Sequence, residues 1–327
     1  IPIILLFLII LLFYKKIKIT VILFDLIIFL ALFYSLLVLF WVDIHSNILF
    51  GPFEILTKTF SMSLGWPFNL LNGVYYNSNN LPFNYILINY LYKLPEFLIF
   101  LYLISVPILF LKKDFVIQKF KDIKVILFSV ILLLAYPSFV MLIIPHSIYD
   151  GLRLFLWGAP YLIIIPSITT YLIFINNNFY FNSIKFFLII LILLHIFNFL
   201  TITPYHYTYL NIFSGEKDGR YKKFENDYWS TSLKELILSS NLGDGKINFH
   251  SCGVSPEITK IYMKEKYNRS EYTIREKASY IIMTNRTVYS KNNKKITNCY
   301  DEYKQENVHQ ISRNGIILSA IKKINNE

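Results

Sequence analysis

SIKFFLIILILLHIFNFLTI, Ser183 to Ile202, runs directly into TPYHYTYLNIFSGEKDGRYKKFENDYW, Thr203 to Trp229. The first stretch has the length and apolarity of a helix that crosses a bilayer core, which takes about 20 such residues. The second mixes charges, aromatic residues and turn formers as a water-facing surface does. The switch falls at Pro204 and divides the whole chain. Ile1 to Pro204 is almost continuously apolar, and Tyr205 to Glu327 is polar and mixed. The expected architecture is therefore a multi-pass α-helical membrane protein: a transmembrane bundle over residues 1–204, with an interfacial loop at 43–83, and a small α/β domain over 205–327.

Composition agrees. Hydrophobic residues make up 55% of the 327 residues and aromatic residues 18%, both high for a soluble domain, while charged residues fall to 16%. Six apolar windows are expected to be helical: Ile1 to Tyr14, Val21 to Val42, Leu94 to Leu111, Val125 to Ile144, Phe155 to Ile175 and Ser183 to Ile202. The third is short and is expected to extend upstream through Asn84 to Lys93. Helices are expected because a spanning segment must satisfy its own backbone polar groups. The first window has 14 residues and no charged start or small-residue cleavage site, so it reads as a truncated helix rather than a signal peptide.

Basic loops set the orientation. Lys15, Lys16 and Lys18 follow the first window, and Lys112, Lys113, Lys119, Lys121 and Lys124 follow the third, which puts both loops on the cytoplasmic side. The segment Asp43 to Phe83, the loop Pro145 to Leu154 and the C-terminal domain then lie outside. The formal charge of +11 is shared by both halves: 12 Lys and Arg against 7 Asp and Glu up to residue 204, then 20 against 14. Basic and acidic residues are interspersed in the second half. That excludes a nucleic-acid groove and leaves a solvated surface near anionic lipid.

Two outer segments carry unusual residues. Between the second and third windows, Phe53, Leu56 and Phe60 fall at helical spacing with Lys58 on another face, as in a short interfacial helix. Gly65, Pro67, Asn72-Gly73 and Pro82 then punctuate turns, and Trp66, Tyr75, Tyr76 and Tyr85 suit the headgroup level. These aromatics read as an interfacial belt or as a lid, with Trp66, Asn72 and Tyr75 over a lipid-borne substrate. The second segment, PHSIYDGLRLF from Pro145 to Phe155, packs His146, Tyr149, Asp150 and Arg153 between apolar helices, where charges are costly and face a cavity or a partner. Asp150 and Arg153 can pair with each other, or Arg153 can present its planar donor fork to a phosphate.

Five stretches in register, NILFGPFEILTKTF, then GWPFNLLNGVYY with LPFNYILINY, SIYDGLRLFLWGAPYL, TPYHYTYLNIFSG with FENDYWSTSLKEL, and ASYIIMTNR, resemble the later part of bacterial C-class membrane glycosyltransferases of the protein O-mannosyltransferase and aminoarabinose transferase type. The resemblance implies an enzyme that moves a sugar, with inversion, from a polyprenyl-phosphate carrier to a protein, lipid or glycan acceptor at the outer face of the membrane. In such families the catalytic carboxylate sits in the first outer loop. The base is accordingly expected upstream of Ile1, with Asp150 as the fallback, and this chain alone is expected to transfer no sugar. Arg153 and Lys93 are the expected ligands of the donor phosphate, with Tyr149 as hydrogen-bond partner. The alternative is a non-catalytic lipid-linked sugar transporter or assembly subunit that uses the same cavity for binding.

In the C-terminal half, Ser232 to Glu235 reads as a capping box that opens a helix. Ser255-Pro256-Glu257 reads as a second helix start, with Ile258, Ile261 and Tyr262 on one face. Lys246 to Cys252, Ala278 to Thr284 and Gly315 to Ile321 read as strands. No strand is followed by a glycine-rich phosphate loop, His146, His206 and His250 are scattered, and no His or Cys cluster has metal spacing, so neither metal nor cofactor is expected. Cys252 and Cys299 are the only cysteines. They pair in an oxidising compartment or stay independent buried thiols, since sequence gives no distance.

Overall fold

The computed structural model describes residues 18–61, 66–143, 148, 150–290 and 294–324. The window Ile1 to Tyr14, Gly65, Pro145, His146 and Tyr149 lie outside them, as do the side chains of Leu56, Lys58 and Phe60.

The apolar half opens with α1 (Ile19–Phe40), whose large side chains are nearly all exposed. α2 (Gly51–Ser61) is the short helix expected after it. Then comes a hairpin where turns alone are expected: β1 (Phe68–Leu71) pairs antiparallel with β2 (Val74–Asn77), Leu71 opposite Val74. Asn72 and Gly73 both have positive φ (49° and 86°), as a two-residue turn matching strand twist requires.

α3 (Tyr85–Lys93) and α4 (Glu96–Leu111) correct the expectation of one extended helix. They meet at 113°. Leu94 precedes Pro95, and the proline ring excludes helical backbone from the residue before it. Leu94 is accordingly extended, with ψ 144°, and the chain turns there. α5 (Lys113–Lys119), α6 (Ile123–Ile143), a 3-10 turn at Arg153–Gly158, α7 (Ala159–Leu162), α8 (Ile164–Ile175) and α9 (Phe179–Thr201) complete this half. Among the described residues four helical runs are long and apolar enough to cross a membrane, or five if α3 and α4 form one broken span. Leu101 and Ile108 of α4, Leu172 and Ile173 of α8 and Leu188 of α9 form the buried core between them.

The C-terminal half adds α10 (Leu233–Ser239), β3 (Ile247–Cys252), α11 (Pro256–Lys266), β4 (Ser270–Tyr272), β5 (Tyr280–Thr284), β6 (Thr287–Ser290), β7 (Lys295–Asn298), α12 (Cys299–Glu302), β8 (Asn307–Arg313) and β9 (Ile316–Lys323). The sheet order is β4-β3-β5-β9-β8, parallel across the first three strands and antiparallel across the rest. Leu233, Leu236, Ile237 and Met263 of α10 and α11 pack on one face. On the other, Cys252 and Cys299 form a disulfide beside Tyr300 and Met283.

Two local expectations fail for tertiary reasons. Ser232 does not cap α10, because its hydroxyl is bonded to Asp227 and Ser319 while the Glu235 carboxylate accepts from Arg313 and from the Tyr205 hydroxyl. On α11 the buried residues are Thr259 and Met263, whereas Ile258 and Ile261 face outward. The Ser255 cap of α11 forms as expected, accepting from the Ile258 amide.

Candidate functional site

The two halves meet over a small apolar junction of Leu71, Tyr85, Ile86, Ile148, Phe155, Leu210 and Phe224, and the charged residues gather beside it. Asp150 and Gly151 both have positive φ (58° and 64°), which turns the chain sharply after α6. Asp is one of the few side chains that tolerate this conformation. Gly151 also leaves room for the lysine: a Cβ there would lie 2.1 Å from Lys93 Nζ and 3.3 Å from Asn89 Oδ1, so the ammonium would have to move.

Lys93 comes from α3, where Tyr85, Asn89 and Lys93 repeat every four residues and so share one face. Tyr85 donates to Asn69 Oδ1 (3.3 Å), and Asn69 donates to the Ile148 carbonyl (2.8 Å). These bonds fasten hairpin, helix and loop around the lysine.

The α/β domain supplies the rest. Arg286 Nη1 lies 2.7 Å from Asp150 Oδ1, both side chains buried, and 3.8 Å from Glu225 Oε2. Arg153 Nη1 approaches the other Asp150 oxygen at 3.3 Å. Glu225 also accepts from the Thr287 amide at 2.6 Å. Aromatic rings cover the cations: Arg286 over Trp66 at 4.4 Å, Arg153 over Trp229 at 5.0 Å and Lys93 over Tyr228 at 5.8 Å. Three cations thus face two carboxylates, leaving one positive charge in excess. Burial raises the Glu225 carboxyl above its ordinary value, against the pull of Arg286. Burial and the neighbouring Asp150 push Tyr228 up to about 12, so it remains a hydroxyl donor.

Two spaces flank α3. A pocket of about 10 Å³ lies between Tyr85, Asn89, Lys93, Glu225 and Tyr228, room for about one water. On the opposite face Ile86, Leu87 and Tyr90 line an open cavity of about 790 Å³, together with Tyr102 and Val106 of α4 and Leu134 and Phe139 of α6. α3 is therefore a partition, polar on one side and apolar on the other.

Of the residues expected from sequence, Trp66, Lys93, Asp150 and Arg153 are brought together. Asp150 and Arg153 do pair, and Asp150 also holds Arg286, so each of its oxygens faces one arginine. Asn72 sits in the hairpin turn and Tyr75 bonds Asp301 at 3.3 Å, both along the hairpin's contact with the α/β domain. Tyr149 is outside the described residues.

Sequence reasoning missed Glu225, Arg286 and Asn211. Glu225 and Arg286 stood in quoted stretches, FENDYW and ASYIIMTNR, but each looks like an ordinary surface charge until its partner arrives. Asn211 donates to the Leu91 and Leu94 carbonyls (2.6 and 2.9 Å), and its amide bonds the Tyr92 carbonyl at 3.0 Å. It supplies the partners that the end of α3 lacks. Glu96, opening α4, accepts from Tyr209 at 2.6 Å and from the Ile212 amide at 3.1 Å. The arm 209–214 thereby locks the bend.

No family model, curated protein or solved structure matches the chain.

Proposed function

We propose that this protein is a membrane glycosyltransferase that takes a sugar from a polyprenyl-phosphate carrier and passes it, with inversion, to an acceptor on the outer side. One observation carries the reading: the two faces of α3 suit the two parts of such a carrier. The apolar cavity accepts hydrocarbon, and the cation cluster, with its excess positive charge, accepts the phosphate. Arg153 is the ligand that reaches solvent, its side chain 45% exposed. Lys93 stands behind it on Gly151. A phosphate held in this way leaves more readily as negative charge develops on it. Asp150 orients the two arginines and does not take the acceptor's proton.

The carrier end is tested with farnesyl phosphate and farnesol, using the protein in lipid nanodiscs. Arg153→Ala should weaken farnesyl phosphate binding by about 10-fold or more, the scale of a hydrogen bond to a charged group, and should leave farnesol binding unchanged. Equal affinity of the wild type for both probes would sink the proposal.

A second reading is binding without transfer, as in a transporter or assembly subunit. It is favoured by Asp150 and Glu225 both being ion-paired within the cluster. Release of free farnesyl phosphate from a farnesyl-phosphoryl hexose in the presence of acceptor membranes would show transfer and rule out the second reading.

The same proposal places the α/β domain outside the cytoplasm. The basic loops support this, and so does the disulfide, which belongs to oxidising compartments. A reporter that works only in the cytoplasm, fused after Glu327, should stay dark.

A further inference from the structure

Asp227 is buried and holds the loop that follows it. It accepts from the Thr231 and Ser232 amides, both at 2.9 Å, and from the Tyr207 hydroxyl. Within this loop two neighbouring aromatic residues diverge. Tyr228 turns inward, its ring 5.8 Å from Lys93 Nζ and 5.9 Å from Arg286 Cζ. Trp229 turns outward and stays 51% exposed. The indole is not loose on the surface. Arg153 lies 5.0 Å from its ring, Tyr207 stands 5.6 Å away at 31°, and Tyr228 meets it nearly edge-on at 86°. A tryptophan that serves only as a headgroup anchor needs no fixed orientation. This one is fixed, and fixed against the one arginine of the cluster that reaches solvent.

We propose that Trp229 is the platform on which the donor's sugar ring stacks, with Tyr207 beside it, an inference that rests on the carrier reading above. In a polyprenyl-phosphate sugar the pyranose is attached directly to the phosphate. A phosphate on the open side of Arg153 therefore delivers the ring to the nearest surface, and that surface is Trp229. The C–H bonds on one face of a pyranose pack on an aromatic ring, which presents its negative face to them. The hydroxyls remain at the rim, in water.

The readout is a ratio of affinities, measured in nanodiscs for farnesyl phosphate and for farnesyl-phosphoryl mannose and glucose. Wild type should prefer at least one glycosylated probe by about five-fold, the scale of one aromatic stacking contact. Trp229→Ala should bring that ratio to about one, and Trp229→Phe should retain most of it. A Trp229→Ala variant that weakens all probes equally, with the ratio kept, would show that the indole only props Arg153 and would overturn the inference. So would a wild type that binds farnesyl phosphate with no preference for either sugar. A wild type that binds none of the probes would instead remove the carrier reading, and this inference with it. Thermal unfolding of each variant guards against loss of fold, and the phenylalanine variant carries the test if the alanine variant does not fold.

Discussion

Arg286→Met is expected to destabilise the folded protein by about 3–5 kcal/mol, the cost of leaving buried charge without its partner. Arg286 makes a buried ion pair between the two halves: it crosses 136 residues of sequence to reach Asp150 at 2.7 Å and stands 3.8 Å from Glu225. Methionine keeps much of the packing on Trp66 and removes the charge. Asp150 would retain only the longer, half-exposed contact with Arg153 at 3.3 Å. Asp150→Asn in the same background should recover part of the loss, since it removes the stranded charge and asparagine also accepts the positive φ at this position. Unfolding titrations in mixed micelles measure both. A loss below about 1 kcal/mol for Arg286→Met, as is usual for an exposed pair, would mean that the junction is held by its apolar contacts and not by this ion pair.

The second large effect belongs to the disulfide. Cys252 and Cys299 are 47 residues apart, and closing a loop of that length in the unfolded chain corresponds to about 4 kcal/mol in the chain-entropy model. The double variant Cys252→Ala/Cys299→Ala should lose stability on that scale. Unreduced, denatured protein should titrate with no free thiol, and two free thiols would refute the pairing. The loss should be felt at the junction as well. The Cys299 amide bonds the Arg286 carbonyl at 3.0 Å, and a Cβ on Gly253 would lie 2.4 Å from Arg286 Cβ and 3.0 Å from Cys299 Sγ. The bridge is thus the wall behind Arg286.

What could be read from the sequence follows physical scale. α9 and α6 were legible because a long apolar run has one stable solution in a bilayer. Lys93, Asp150, Arg153 and Trp66 were legible because a charge or an indole among apolar residues needs a reason to be there. The bend between α3 and α4 was carried by two residues, Leu94 and Pro95, inside a stretch whose apolarity ran on unbroken. The hairpin was signalled by Asn72-Gly73 between strand-like residues, a signal read as punctuation rather than pairing. The capping box at Ser232 failed because Asp227, Ser319 and Arg313, all distant from the helix start or outside it, compete better for the same atoms. Glu225 and Arg286 were illegible for the opposite reason to Lys93. In a polar domain nothing local distinguishes a charge destined for burial from one left in water.

The seat of Asn211 reaches further than the bend it locks. α3 cannot tilt without breaking the bonds from Asn211 to Leu91, Tyr92 and Leu94, and α3 is also a wall of the 790 Å³ cavity. The width of that greasy chamber is therefore set by a strut hinged on the water-facing domain.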